Sequence, residues 1–202
     1  ATLMICISIY TMQLEIQTES TMVQDLRLAL IKEQFELFYQ PQINASETLI
    51  GAEALLRWHH PVLGYIPTKD FISAAETFGL MPEIGEWVLA QACKVLQDWS
   101  KKAETKDLTL SINISADHFM QPNFEQTVIG LIQKYGVNPS RLILEITENI
   151  ALTNCVSMVE KMNFLSNQGV QLSLDDFGTG YSSLSYLQKM PIRQIKIDRS
   201  FV

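Results

Sequence analysis

Glu53, Asn113, Glu145 and the adjacent pair Asp175 and Asp176 are oxygen donors set in short β-rich segments, and Lys196 lies in another such segment. Three strand carboxylates with Asp176 alongside and Asn113 opposite cannot share a buried rim as bare anions, because burying unpaired charge costs several kcal/mol or shifts the pKa values. A cation is implied. Ligation by oxygen alone, without Cys or His, selects a hard divalent ion, Mg²⁺ or Mn²⁺, over Zn²⁺. Asp175 and Asp176 could bridge and flank two such ions about 3.5–4 Å apart, a spacing suited to in-line displacement at phosphorus. On that reading Lys196 orients a water or balances charge, and Arg57 offers a planar fork to a phosphate. Each residue taken singly has a plainer reading. Glu53 or Arg57 could be half of an ion pair, Asn113 could satisfy backbone groups at a strand end, and Asp175-Asp176 before Phe177-Gly178-Thr179-Gly180 could start a turn and cap a helix. Their joint placement is what favours chemistry.

The elements that must position them follow from periodicity. Phe35 to Ile43 and Leu49 to Trp58 are β-rich and joined only by Asn44 to Thr48, so they form an antiparallel hairpin. Helical spacing covers Phe71 to Phe78 and Pro82 to Trp99, with Gly79 and Pro82 as stop and start. Strands over Leu108–Ser115, Arg141–Thr147, Val170–Asp176 and Gln194–Asp198 then alternate with helices over Phe124–Tyr135, Ala151–Asn167 and Tyr181–Lys189. This is the pattern of βα units. Within the strands the polar residues keep one parity: Glu53 and Arg57 oppose Ala52, Ala54 and Leu56, and Ser111, Asn113 and Ser115 oppose Leu110, Ile112 and Ile114. Glu145 and Thr147, Ser173 and Asp175, and Lys196 and Asp198 repeat the arrangement. A doubly wound sheet would make most of these strands apolar throughout, so a polar face shared by five strands favours a barrel interior, with the site at the strands' C-terminal ends.

Composition narrows the function. The chain has 202 residues, 47% hydrophobic and 18% charged, and a formal net charge of −7. It is expected to be globular, and its charge argues against binding long nucleic acid through a basic surface. Cys6, Cys93 and Cys155 are far apart and read as free thiols of a cytoplasmic protein. His59, His60 and His118 lack zinc-site spacing and read as polar loop or surface residues. The apolar run Leu3–Ile7 is too short to span a bilayer, although the parent could be membrane-tethered. Residues 1–24 are expected to be a linker, helical in part, or the remnant of an upstream segment, and 25–202 the domain. Asp176-Phe177-Gly178 spells a kinase tripeptide, but the other kinase motifs are missing.

Read in order, Tyr39-Gln40-Pro41, Glu53-Ala54-Leu55-Leu56-Arg57-Trp58, Ser111 to Ser115, Glu145-Ile146-Thr147-Glu148, Asp175 to Leu184 and Lys196-Ile197-Asp198 resemble the motifs of the EAL domain family, cyclic di-GMP phosphodiesterases. The resemblance implies an α/β fold, a modified TIM barrel with an antiparallel first strand. It implies metal ligation by Glu53, Asn113, Glu145, Asp175 and Asp176, two Mg²⁺ or Mn²⁺ ions, and Glu53, Asp176 and Lys196 as catalytic. Gln40, Leu55, Arg57 and Asp198 would face the substrate cyclic di-GMP, one phosphodiester bond of which is cut to give linear pGpG. Glu148 would hold the loop after Asp176, which in the family couples homodimerisation to the site. A sensor or diguanylate-cyclase-type domain upstream is a further expectation. Only about six of the eight strands of such a barrel are recognisable, and the family's later Glu-Gly-Val-Glu and Gln-Gly-Tyr motifs do not occur. The expectation is an incomplete barrel, weakly active or inactive alone, with a non-catalytic cyclic di-GMP receptor or a dimerisation module as the alternatives.

Overall fold

The computed structural model describes residues 21–148, 156–178 and 190–201. The chain divides into two compact units, one of residues 1–36 and 56–81 and the other of 37–55 and 82–202. The division falls within the first two strands, β1 (Phe35–Ile43) and β2 (Leu49–His60). These two pair as the short connection requires. Asn44 N donates to Thr48 O at the turn and His59 N to Gln34 O at the far end, so one strand's numbering falls as the other's rises, which is antiparallel. Asn44 Oδ1 also accepts from Ser46 N and Thr48 N, each at 3.0 Å, closing the turn with its own side chain.

In the larger unit β2 is followed by β4 (Thr109–Asn113), β5 (Leu142–Thr147), β6 (Gln171–Phe177) and β7 (Gln194–Ile197), each parallel to its predecessor. The strand order β1-β2-β4-β5-β6-β7 never reverses. A doubly wound sheet reverses at its switch point, whereas strictly sequential parallel neighbours belong to the (β/α) barrel class. Helices α3 (Met81–Ser100), α4 (Ala116–Phe119), α5 (Phe124–Tyr135) and α6 (Val156–Asn167) lie between the strands. Buried Ile84, Val88, Leu89, Ala92, Cys93 and Leu96 recur on α3 at three- and four-residue intervals, the spacing of one helix face. Phe124, Val128 and Ile132 do the same on α5, and Met158, Met162 and Leu165 on α6. Helix α5 ends at Gly136, whose φ of +63° is the left-handed conformation that glycine adopts at a helix stop. The predicted helix over Tyr181–Lys189 and the first residues of that over Ala151–Asn167 lie outside the described residues.

One expectation is corrected here. His118 is not a surface residue: it is 5% exposed, held edge-on to Phe124 at 4.8 Å between ring centroids, and burial pushes its pKa down to about 4. It belongs to α4, a single turn capped by Ser115 Oγ, which accepts from His118 N.

In the smaller unit, residues 21–31 are helical. Phe35, Trp58 and Phe71 form an aromatic cluster with centroids 5.7–5.9 Å apart, and Trp58 Nε1 donates to Gln34 Oε1. Strand β3 (Gly64–Ile66), which periodicity did not reveal, pairs antiparallel with the end of β2, and α2 (Thr68–Thr77) follows it. Among the described residues no helix is long and apolar enough to cross a membrane.

Candidate active site

In a parallel sheet, residues in register point to the same face. Glu53 is in register with Ser111, Asn113 with Glu145, Glu145 with Ser173, and Thr147 with Asp175. The shared polar parity therefore becomes one face carrying Glu53, Asn113, Glu145 and Asp175. The opposite face of the same strands holds Leu110, Ile112, Leu142, Leu144, Ile146, Leu172 and Leu174, all buried.

Alternation alone would put Asp176 on that apolar face, but a register shift changes this. Leu174 pairs with Ile195 and Phe177 with Ile197, so two residues of β6, Asp175 and Asp176, stand against the single Lys196 of β7. This is a β-bulge, and Asp176 takes its extra place with a φ of +55°. Asp176 N donates to Asp175 Oδ1 at 2.9 Å.

Lys196 is the hub of the arrangement. Its Nζ donates to Glu145 Oε2 at 2.7 Å, Glu53 Oε2 at 2.9 Å and Asp175 Oδ2 at 3.1 Å. Burial works against the ammonium, yet its hydrogen bonds to Glu145 and Glu53 hold its pKa above the ordinary lysine value. Glu145 is fully buried, and that burial raises its pKa despite the bond to Lys196. Asp176 is raised too, by burial and then by the neighbouring charges of Asp175 and Asp198. Asn113 Nδ2 donates to Glu53 Oε1 at 2.9 Å and so fixes the second oxygen of that carboxylate.

The trio Glu53, Glu145 and Asp175 can each turn an oxygen to a common centre, with those atoms within 4.8 Å of one another. Glu145 Oε1 is buried and has no hydrogen-bond partner among the described residues. A buried carboxylate oxygen left unpaired is costly, and an all-oxygen donor set is that of a hard divalent cation. The residues fit such an ion.

The EAL domain profile matches residues 23–202. The chain belongs to the EAL domain family. It is 40% identical over 193 residues to the bifunctional diguanylate cyclase/cyclic di-GMP phosphodiesterase MucR of Pseudomonas aeruginosa, covering 95% of this chain and 28% of that protein. It is 40% identical over 178 residues to the oxygen sensor protein DosP of Escherichia coli, covering 88% of this chain and 22% of that one. The chain thus spans about a quarter of the length of these curated relatives. Among solved structures, the PaMucR phosphodiesterase in complex with c-di-GMP superposes with a TM-score of 0.86 at 41% identity, over 90% of this chain and 73% of that one. The Xanthomonas citri FimX EAL domain in complex with c-diGMP gives 0.83 at 26% identity, over 93% and 73%. The architecture is accordingly the modified TIM-barrel fold of EAL domains, with its sheet open among the described residues.

The remaining residues singled out in this EAL chain fall as follows. Glu148 is buried, and its Oε2 accepts from Gly178 N at 2.8 Å, tying the base of the loop that follows Asp176; residues 179–189 of that loop lie outside the described ones. Asp198 Oδ1 accepts from Ser200 N and Ser200 Oγ, so the carboxylate caps the turn Arg199–Phe201, and those bonds lower its pKa. Gln40 is exposed on β1 and Leu55 half-buried on β2. Arg57 belongs to the smaller unit, where Nη1 donates to Leu56 O at 2.8 Å and to Thr68 Oγ1 at 3.3 Å. Sequence reading missed Gln42, whose Nε2 donates to Ser111 Oγ at 3.4 Å on the polar face. The signal was present, since Gln40 and Gln42 share a parity on β1.

Proposed function

We propose that this EAL chain is a cyclic di-GMP phosphodiesterase module that hydrolyses one phosphodiester bond of the cyclic dinucleotide to linear pGpG. The observation that carries the reading is the convergence of Glu53, Glu145 and Asp175 from three strands, with a buried, unpaired oxygen on Glu145. Glu53, Asn113, Glu145, Asp175 and Asp176 would hold two Mg²⁺ or Mn²⁺ ions. When bound, such ions lower the pKa of a water and stabilise the leaving oxygen.

The chain's own residues do the rest. The β-bulge sets two successive residues, Asp175 and Asp176, opposite Lys196, Asn113 holds the orientation of Glu53, and Lys196, on release from a carboxylate, would offer a donor to the attacking water. Gln40, Leu55 and Asp198 bind and orient the dinucleotide, and Glu148 anchors the loop through which a homodimer forms. We assign 25–202 to the catalytic module and 1–24 to a connecting segment, in a cytoplasmic region of a parent that carries a sensor or diguanylate-cyclase-type domain. Turnover by this chain alone is expected to be weak.

Chromatography of c-di-GMP incubated with the protein, with and without Mg²⁺, Mn²⁺ and EDTA, tests the reading. Metal-dependent pGpG formation is expected, and Glu145→Gln should reduce it by about 100-fold, at or beyond the upper end of the 10–100-fold typical of residues that only support a metal ligand. Calorimetric binding of c-di-GMP without any turnover in either metal would replace the enzyme by a receptor.

A further inference from the structure

We propose that Lys196 is an internal counter-cation of the carboxylate cluster, competing with a divalent ion for Glu53, Glu145 and Asp175 and thereby setting the site's affinity for metal. The inference rests on the reading of the cluster as a metal site and adds the regulation of that site.

An ammonium has three N–H donors and no acceptor. Lys196 makes three hydrogen bonds, one to each of three carboxylates carried by β2, β5 and β6. These are the same three residues whose oxygens can meet at one centre. An ion ligated by all three and an ammonium bonded to all three cannot keep their contacts together without setting like charges nearly in contact, where they repel strongly.

Three carboxylates and one ammonium leave two negative charges, so the lysine does not substitute for a divalent ion. It holds the strands' carboxylates together in the metal-free protein and lessens what the ion gains by entering. On entry the ammonium must release at least one carboxylate. Its freed donors then become available to a water or a phosphate oxygen, so metal loading and the readiness of the lysine are coupled.

The test is calorimetric titration of Mn²⁺ alone into the native chain and into Lys196→Met, Lys196→Gln, Lys196→Arg and Glu145→Gln, with melting temperatures measured in EDTA and in Mn²⁺. Lys196→Met should bind Mn²⁺ about tenfold tighter or more, the order expected for removing one like charge at such range. Its melting temperature in EDTA should fall by several degrees and recover in Mn²⁺ by more than the native protein gains. Lys196→Arg, which keeps the charge, should stay within about threefold of native affinity. If Lys196→Met does not fold in EDTA, Lys196→Gln gives the same comparison with a hydrogen-bonding neutral group. Unchanged or weaker Mn²⁺ binding in the neutral variants, with Glu145→Gln abolishing it, overturns the lysine's role and leaves the metal site standing. Native binding that is absent, or indifferent to Glu145→Gln, overturns both.

Discussion

Asp176 holds a φ of +55°, a conformation that costs a residue with a Cβ about 1–2 kcal/mol and that Asp and Asn tolerate better than most. Its carboxyl also sits among like charges, which together with burial raises its pKa. Backbone strain and the charges of Asp175 and Asp198 oppose it, the attraction of Lys196 offsets part of that repulsion, and the strained position itself points to a functional role. Asp176→Gly relieves the backbone strain and the repulsion but also ends the attraction to Lys196, so urea-unfolding stability should stay within about 1 kcal/mol of native while c-di-GMP turnover falls at least about tenfold. Asp176→Ala, which keeps the strained backbone, should be less stable than the glycine variant by about 1 kcal/mol. A glycine variant that falls below the native chain by more than this margin would mean the carboxylate holds the fold. At this scale alternation in the sequence located Glu53, Asn113, Glu145, Asp175 and Lys196, because unbroken register preserves parity from strand to strand. It could not place Asp176, because a bulge is an exception to alternation and leaves no mark in the residue pattern.

Two helix glycines separate local propensity from packing. Gly130 of α5 is exposed, and a Cβ added there would meet nothing within 4 Å. Gly85 of α3 is buried, and its Cβ would lie 2.2 Å from His118 Nδ1 and 2.8 Å from His118 Cε1. The imidazole cannot easily give way, being packed against Phe124. Gly130→Ala should therefore gain up to about 1 kcal/mol from helix propensity, whereas Gly85→Ala should lose about 1–3 kcal/mol to overpacking, both read from denaturant midpoints. If both substitutions stabilise, α4 is not seated on α3 as described. The long elements were legible because their periodicity runs over many residues; β3 and α4, of three and four residues, were not, since so short a segment completes no period. His118 was misread because its burial comes from α3, distant in sequence, and from Phe124 at the start of α5, and not from its own turn of helix.

For the whole molecule, the barrel class was legible because a polar face shared by several strands needs an interior for it to line, and the sequential strand order agrees. What parity could not indicate is how the ends of that order are finished. Among the described residues nothing pairs with the outer side of β1 or of β7, and Ile43 is 62% exposed, Ile197 63% and Phe201 62%. Apolar strand edges without partners are templates for pairing with another chain. This chain should therefore self-associate at concentrations on the order of 10 µM, seen as a concentration-dependent sedimentation coefficient. Lysine at an edge discourages such pairing, so Ile43→Lys together with Ile197→Lys should return it to a monomer. The carboxylates lie on the other face of β7 from Ile197, by the same alternation that places Lys196 among them, so the Mn²⁺-dependent rise in melting temperature should survive in the double variant. A native chain that sediments as a monomer throughout refutes the adhesive edges. Association that persists in the double variant shifts it to the loop anchored by Glu148 and Gly178, where the proposed homodimer would form.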